Sequence, residues 1–377
     1  MRLPFAVSGS RGKIVLAMSG GVDSSVAAAL LLERGYDVVG CFMRLGNPEG
    51  VEIVETCDVT TGKSHKQGCC SVNDAADARR VADGLGIPLY VLNFQKDFGR
   101  VIDYFTSEYE SGRTPNPCVR CNDWLKFGKL HDYAAAIGAD YVASGHYARM
   151  QDGQLLRGVD RAKDQSYVLF GVPQDHMRRM LLPVGGFTKP RIREMADELG
   201  IITADKPDSQ EICFVPDQDY AGLLERRRGE AFEPGEVVDT SGTVVGEHRG
   251  FQRYTIGQRR GLRLALGRPV YVVDTQPATN RVVIGDKEDL LATGLVADQI
   301  NLLTPAAEVA KGLRCEAKIR YNAEPVPATL TRANDDEIHV VFDEPQAAVA
   351  PGQAVVCYDG ELVLGGGWIR RATRGAA

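Results

Sequence analysis

KIVLAMSGGVDSSVAAALLLERG, Lys13 to Gly35, is the stretch that decides the fold. It opens with a short apolar run, Lys13 to Ser19, of the kind that forms a strand buried on both faces. Gly20 and Gly21 break that run. An alanine- and leucine-rich stretch then reads as a helix that Gly35 stops. YDVVGCFM (Tyr36 to Met43) is a second strand. After an irregular insertion, roughly Arg44 to Val72, the alternation resumes. The helix DAADARRVADGLG, the strand PLYVLNF, a helix around Trp124 to Ile137 and the strand ADYVASG follow in turn. Strand and helix in alternation specify an α/β fold, a Rossmann-like, doubly wound parallel sheet.

The pattern changes after PRIREMADELGI (Pro190 to Ile201), where Pro190 suits a first helical turn. Past about Val215, segments such as GEVVDTSGTVVGEH, RPVYVVDTQPATNRVVIG and QAVVCYDGELVLGGGWI are short alternating strands broken by Gly, Pro, Asn and Asp. They predict a small β-rich domain followed by a β-barrel. The expected domains are residues 1–215, 216–285 and 286–377.

At 377 residues the chain is too long for one ordinary core. No apolar run approaches the length that spans a membrane, and MRLPFAVSGSRGK lacks the apolar centre of a signal peptide. Nine cysteines, an odd count in a large chain, argue against a secreted disulfide framework. A cytoplasmic, monomeric protein is the expectation. The net charge of -6 does not mark a nucleic-acid binder, yet arginines cluster at Arg226–Arg228, from Arg249 to Arg268, and at Arg370, Arg371 and Arg374. Local patches, more than net charge, set the field that a polyanion meets.

SGGVDSS (Ser19 to Ser25) suits an anion. Glycines let successive N–H groups turn inward, while three hydroxyls and a helix N-terminus add donors and positive dipole. It is neither a Walker A loop nor GxGxxG. Read without further context, it is equally a strand–helix turn with a Ser or Asp cap.

SGGVDSS resembles the pyrophosphate-binding loop of the N-type ATP pyrophosphatases, or PP-loop enzymes, which split ATP between its α- and β-phosphates and adenylate an oxygen. Further motifs narrow the likeness. They are GRTPNPCVRCN (Gly112 to Asn122), LKFG, ASGHYAR (Ala143 to Arg149), KDQSYVL (Lys163 to Leu169), DSQEICFVP (Asp208 to Pro216), YTIGQRRGL (Tyr254 to Leu262), KIRYN (Lys318 to Asn322) and PGQAVV (Pro351 to Val356). Together they resemble the tRNA-specific 2-thiouridylases over nearly the whole chain.

That resemblance implies an activity: ATP-dependent 2-thiolation of the wobble uridine in the anticodon arm of the tRNAs for Lys, Glu and Gln. ATP and Mg²⁺ are the implied cofactors, and a sulfur-relay protein or cysteine desulfurase the implied donor. It also implies roles by position. Ala17, Met18, Ser19, Gly20, Gly21, Val22, Asp23 and Ser24, with Met43 and Gly145, would hold the nucleotide, Asp23 being a conceivable Mg²⁺ ligand. Asn116, Pro117, Cys118, His146, Lys163, Asp164, Gln165, Arg320, Tyr321 and Gln353 would contact tRNA. Cys213 would carry a persulfide and Cys121 would be the second catalytic thiol, with Arg120 as a cation beside it. Taken without the resemblance, Met43 and Gly145 are ordinary strand-end residues, and His146 is a satisfied loop histidine.

The sequence departs from the better-known family pattern at one position. An aspartate there gives DxxC; this chain has Cys118. Cys118, Cys121 and Cys213 would then be three thiols around one site, the ligand set of a [4Fe–4S] cluster with one free iron. Alternatively, the CxxC is a dithiol in which Cys118 reduces the catalytic disulfide. Cys41, Cys315 and Cys357 read as small buried hydrophobes, and Cys57, Cys69 and Cys70 as a weak metal signal. The rival readings are other adenylating PP-loop enzymes, acting on a different tRNA base or on a small molecule, and a non-catalytic RNA- or metal-binding module. Neither rival explains the paired loop cysteines together with Cys213.

Overall fold

The computed structural model describes residues 11–46, 72–208, 212–215, 217–262, 264 and 266–375. Cys57, Cys69, Cys70 and Arg263 lie outside the described residues. The chain divides into two compact units. The first comprises residues 1–101 and 118–219, the second 102–117 and 220–377.

In the first unit, β1 (Lys13–Ala17) leads into helix α1 (Val22–Glu33) and then β2 (Asp37–Arg44). Helix α2 (Val72–Leu85), β3 (Leu89–Asn93) and helix α3 (Gln95–Glu110) follow, the part of α3 from residue 102 onward belonging to the second unit. After the helices that span residues 117–136 come β4 (Tyr141–Ser144), the hairpin β5 (Ala148–Gln151) and β6 (Gln154–Arg157), and β7 (Met180–Leu181). Five strands form one parallel sheet in the order β3-β2-β1-β4-β7. The chain winds outward through β2 and β3, then crosses back to β4 on the other side of β1. The gap between the ends of β1 and β4 is therefore the switch point where such sheets bind ligands.

Nine of the twelve residues of α1, from Val22 to Leu31, are buried, so it is covered on all sides rather than along one stripe. Gly35 ends it as expected. At φ +83 it lets its own N–H reach Leu32 O and the Tyr36 N–H reach Leu31 O, the paired bonds of a Schellman cap.

In the second unit, β8 (Gly235–Asp239), β9 (Val244–His248), β10 (Tyr271–Gln276) and β11 (Arg281–Gly285) form a four-stranded sheet in the order β10-β11-β8-β9. Its core includes Val237, Phe251, Val272 and Ile284. Then β12 (Leu291–Leu302), β13 (Leu313–Lys318), β14 (Val326–Arg332), β15 (Glu337–Ala347), β16 (Ala354–Asp359) and β17 (Leu362–Thr373) pair antiparallel. The pairing of β12 with β17 closes them into a six-stranded barrel. Closure removes exposed sheet edges. The α/β domain, the small β-rich domain and the barrel of the sequence reading are all present. Among the described residues no helix is long and apolar enough to cross a membrane.

Candidate active site

Ser19 to Ser24 lie at the switch point. Gly20 takes φ +71, and a Cβ there would sit 2.2 Å from the Asp74 carbonyl at the start of α2. Gly21 precedes the helix in an extended conformation with no side-chain cap, so no Ser or Asp caps this turn. The hydroxyls turn inward instead: Ser24 and Ser25 both donate to Gly21 O, at 3.1 and 2.8 Å, and the Ser19 N–H donates to Ser24 Oγ at 3.3 Å. Gly145, the residue after β4, abuts the same loop; a Cβ there would be 2.7 Å from Ser24 N. Gly145 is thus a position where the loop leaves no room for a side chain. Met18 is buried, with its N–H bonded to Cys41 O; Ala17 and Met43 are half-buried.

Two lysines that the sequence reading did not single out brace this loop. Lys189 Nζ lies 2.8 Å from both carboxylate oxygens of Asp23 and 2.7 Å from Asp208 Oδ1. Tyr147 donates its hydroxyl to Asp23 at 2.7 Å. Burial and then the Asp23 charge push the Tyr147 phenol far above its ordinary value. Lys206 Nζ donates to Gly20 O at 2.7 Å, Asp74 at 2.6 Å and Asp77 at 2.7 Å. Asp23 therefore has both oxygens engaged by an ammonium rather than turned to a divalent cation. Burial alone would raise the Asp208 carboxyl; hydrogen bonds from Lys163 and Lys189 outweigh it and hold Asp208 below the usual range. No spacing rule announces these lysines, because the contacts of Lys189 with Asp23 and of Lys206 with Gly20, Asp74 and Asp77 each cross more than a hundred residues of chain.

The thiols sit on different kinds of support. Cys118 is exposed in the short helix Pro117–Arg120, and Cys121 begins a nine-residue π-helix, Cys121–Lys129. Such wide turns concentrate at functional sites. Gly128, the glycine of LKFG, permits this one: a Cβ there would lie 2.8 Å from Asp123 O. Arg100 and Arg120 stack on Trp124, their guanidinium carbons 4.0 and 5.1 Å from the ring centre. Arg120 also lies 3.8 Å from the Asp123 carboxylate. Burial raises the Asp123 carboxyl to about 6 although Arg120, Arg100 and His176 oppose the shift.

Cys213 is half-buried in a turn closed by Val215 N–H to Ile212 O, and its neighbour Phe214 packs edge-to-face on Phe98 at 5.6 Å. Ser209, Gln210, Glu211 and Pro216 of its motif lie outside the described residues. Among the described residues, no group of three His, Cys, Asp or Glu side chains is arranged to hold a metal.

The residues expected to meet tRNA are placed variously. His146 is buried, its Nδ1 2.7 Å from Ser144 Oγ, and burial pushes its pKa well down. Asp164 is also buried and accepts from the Gly158 and Ser166 N–H groups and the Ser166 hydroxyl. Gln165 accepts from Tyr147 N–H, while Lys163 pairs with Asp208 at 2.7 Å. Asn116 and Pro117 are buried. In the second unit, Gln353 donates to Thr114 O and Pro115 O, and Arg320 to Ala347 O and Ala348 O; Tyr321 is exposed. Several clustered arginines have carboxylate partners: Arg227 with Asp103, Arg228 with Glu230 and Arg253 with Glu225, within 3.0 Å. Exposed pairs of this kind are worth only ~0–1 kcal/mol.

Residues 12–217 match the family described as tRNA methyl transferase HUP domain, residues 222–286 the tRNA methyl transferase PRC-barrel domain, and residues 292–369 the aminomethyltransferase beta-barrel domain. The chain is 53% identical over 368 residues to a tRNA-specific 2-thiouridylase MnmA of Carboxydothermus hydrogenoformans, covering 96% of this chain and 98% of the relative. It is 51% identical to the protein of the same name in Rhodopirellula baltica, covering 96% of each, and 48% identical to that of Lachnoclostridium phytofermentans, covering 95% and 99%. With a PP-type loop at the switch point of its sheet and this likeness running through all three domains, the chain belongs to the tRNA-specific 2-thiouridylase family.

Proposed function

We propose that this chain is a tRNA-uridine 2-sulfurtransferase that uses ATP to replace the C2 oxygen of the wobble uridine by sulfur. One observation carries the reading. The anion-type loop at Gly20–Gly21 and both cysteines of the implied chemistry, Cys121 and Cys213, belong to one compact unit.

An oxide is a poor leaving group. The uridine O2 attacks the α-phosphorus of ATP, pyrophosphate departs, and the oxygen now leaves as AMP. The N–H groups of the glycine turn and the N-terminus of α1 offset the developing phosphate charge. Mg²⁺ would come with the nucleotide, shielding its phosphates. A persulfide on Cys213, loaded by a sulfur-relay protein or desulfurase, supplies the nucleophile. Its outer sulfur attacks C2 and AMP is expelled. Cys121 as thiolate then attacks the Cys213 sulfur, breaking the S–S bond so that the outer sulfur stays on the base. A Cys121–Cys213 disulfide remains, and two electrons from a dithiol reduce it. The exposure of Cys118, three positions from Cys121, supports its attacking the Cys121 sulfur and freeing the Cys213 thiol, after which an external dithiol reduces the Cys118–Cys121 disulfide. No step runs through an iron–sulfur cluster.

Lysine, glutamate and glutamine tRNAs are the expected acceptors, and the second-unit arginines the expected phosphate contacts. Incubating the protein with ATP, a persulfide donor and unmodified tRNA should yield 2-thiouridine, and Cys213→Ala should yield none. Full product from Cys213→Ala, or no product from wild type, overturns the mechanism.

A further inference from the structure

The Lys189 side chain is almost wholly enclosed, at 9% exposure, and its two carboxylate partners come from different parts of the chemistry. Asp23 is the second residue of α1, directly behind the glycine turn of the nucleotide loop. Asp208 stands five residues before Cys213, so the chain between them spans at most ~17 Å. Lys163 and Arg193 hold the same Asp208 carboxylate at 2.7 and 3.2 Å, fixing it from two further directions. Lys206, two residues earlier, ties the same segment to Gly20 O. Enclosing an ammonium would require only one carboxylate. This one is shared between the loop that would hold the α-phosphate and the segment that leads to the sulfur-carrying cysteine.

We propose that Lys189, through Asp23 and Asp208, is the positioning residue that sets Cys213 against the nucleotide loop, so that adenylation and sulfur transfer occur at one carbon. The inference rests on the function proposed above, and it adds a division of labour. Removing the Asp208 arm of the bridge, with the Lys189–Asp23 pair left in place, leaves the loop able to cleave ATP but misplaces the sulfur. The activated base is then lost to water, with AMP released and no thiolated product.

The test measures AMP released and 2-thiouridine formed in the same tRNA reaction, for wild type, Lys189→Met, Lys189→Arg and Asp208→Asn. Wild type should give about one 2-thiouridine per AMP. Lys189→Met and Asp208→Asn should give at least tenfold fewer per AMP, while Lys189→Arg, which keeps the charge and both partners, should recover most of the ratio. Thermal melting checks folding. If Lys189→Met does not fold, Asp208→Asn decides, because it leaves the Lys189–Asp23 pair intact. A ratio that stays near one in Asp208→Asn overturns the proposal. So does a parallel loss of AMP and thiolated product, which would confine Lys189 to the nucleotide. Wild type that releases AMP without ever thiolating tRNA would instead strike the proposed function.

Discussion

The nucleotide loop and the thiol-bearing segments share one unit yet are built in opposite ways. The loop is fixed by backbone: Gly20, which admits no side chain, Gly145 pressed against it from the end of β4, inward hydroxyls, and Lys206 on the Gly20 carbonyl. The cysteines stand on irregular supports, a π-helix start and a four-residue turn, and Cys118 is open to solvent. The difference follows from what each must meet. A phosphate chain is recognised by donors held in place before it arrives. A thiol that takes sulfur from one macromolecule and delivers it to another has to be reached from outside.

The largest effect should come from breaking the loop. Gly20→Ala puts a methyl 2.2 Å from the Asp74 carbonyl and, at φ +71, forces a conformation that costs an L-residue ~1–2 kcal/mol. Gly145→Ala drives a methyl to 2.7 Å from Ser24 N. Both neighbours are backbone and cannot simply rotate away. ATP cleavage in the presence of tRNA should fall by roughly 100-fold or more in each, the scale of a lost preorganised donor set. Near wild-type cleavage in both would mean that the loop tolerates movement and is no more rigidly built than the thiol-bearing segments.

How much of this was legible beforehand depends on the range of the interactions. Lys13 to Gly35 announced the strand, turn and capped helix because each signal is local: an apolar run, a glycine pair, a glycine at the helix end. The barrel was legible from alternation and turn residues, although its closure, β12 on β17, was not. Only the resemblance marked Gly145 for the nucleotide; its residue type alone read as an ordinary strand end, since its crowding arises only when β4 returns beside β1. The bracing lysines were invisible for the same reason: Lys189 and Asp23 are 166 residues apart. The Ser or Asp cap allowed for the first helix is absent because Gly21 occupies the capping position, and Ser24 and Ser25, inside the first turn, bond to its carbonyl. Among the arginine clusters, the sequence displayed the charge but not the carboxylates that already occupy Arg227, Arg228 and Arg253.

A medium effect tests the thiol side. The Asp123 carboxyl, next but one to Cys121, is raised from 3.8 to about 6 by burial. A raised folded-state value means the folded protein keeps a proton that the unfolded chain gives up. The group's contribution is therefore full below about pH 4 and is lost as pH rises through about 6. The loss amounts to at most about 3 kcal/mol, taking 1.36 kcal/mol per unit. Asp123→Asn should remove this slope. In denaturant titrations from pH 4 to 7, the variant should gain stability relative to wild type as pH rises. Parallel curves would mean that Arg100 and Arg120, stacked on Trp124, already neutralise the carboxylate in full.

The smallest effect is the control that gives the first prediction its meaning. Gly84 lies in the last turn of α2, where a Cβ would meet nothing within 4 Å and φ is not positive. Alanine there lowers the entropy of the unfolded chain without touching a neighbour, so Gly84→Ala should stabilise by about 0.5–1 kcal/mol and leave ATP cleavage unchanged. Gly20 packs against the other end of the same helix, at Asp74. If Gly84→Ala also lowered ATP cleavage, the loss in Gly20→Ala would reflect strain passed through α2 as a whole, not the contact at its first turn. Unchanged cleavage in Gly84→Ala assigns that loss to the two or three atoms where the Asp74 carbonyl, Lys206 and the glycine turn meet.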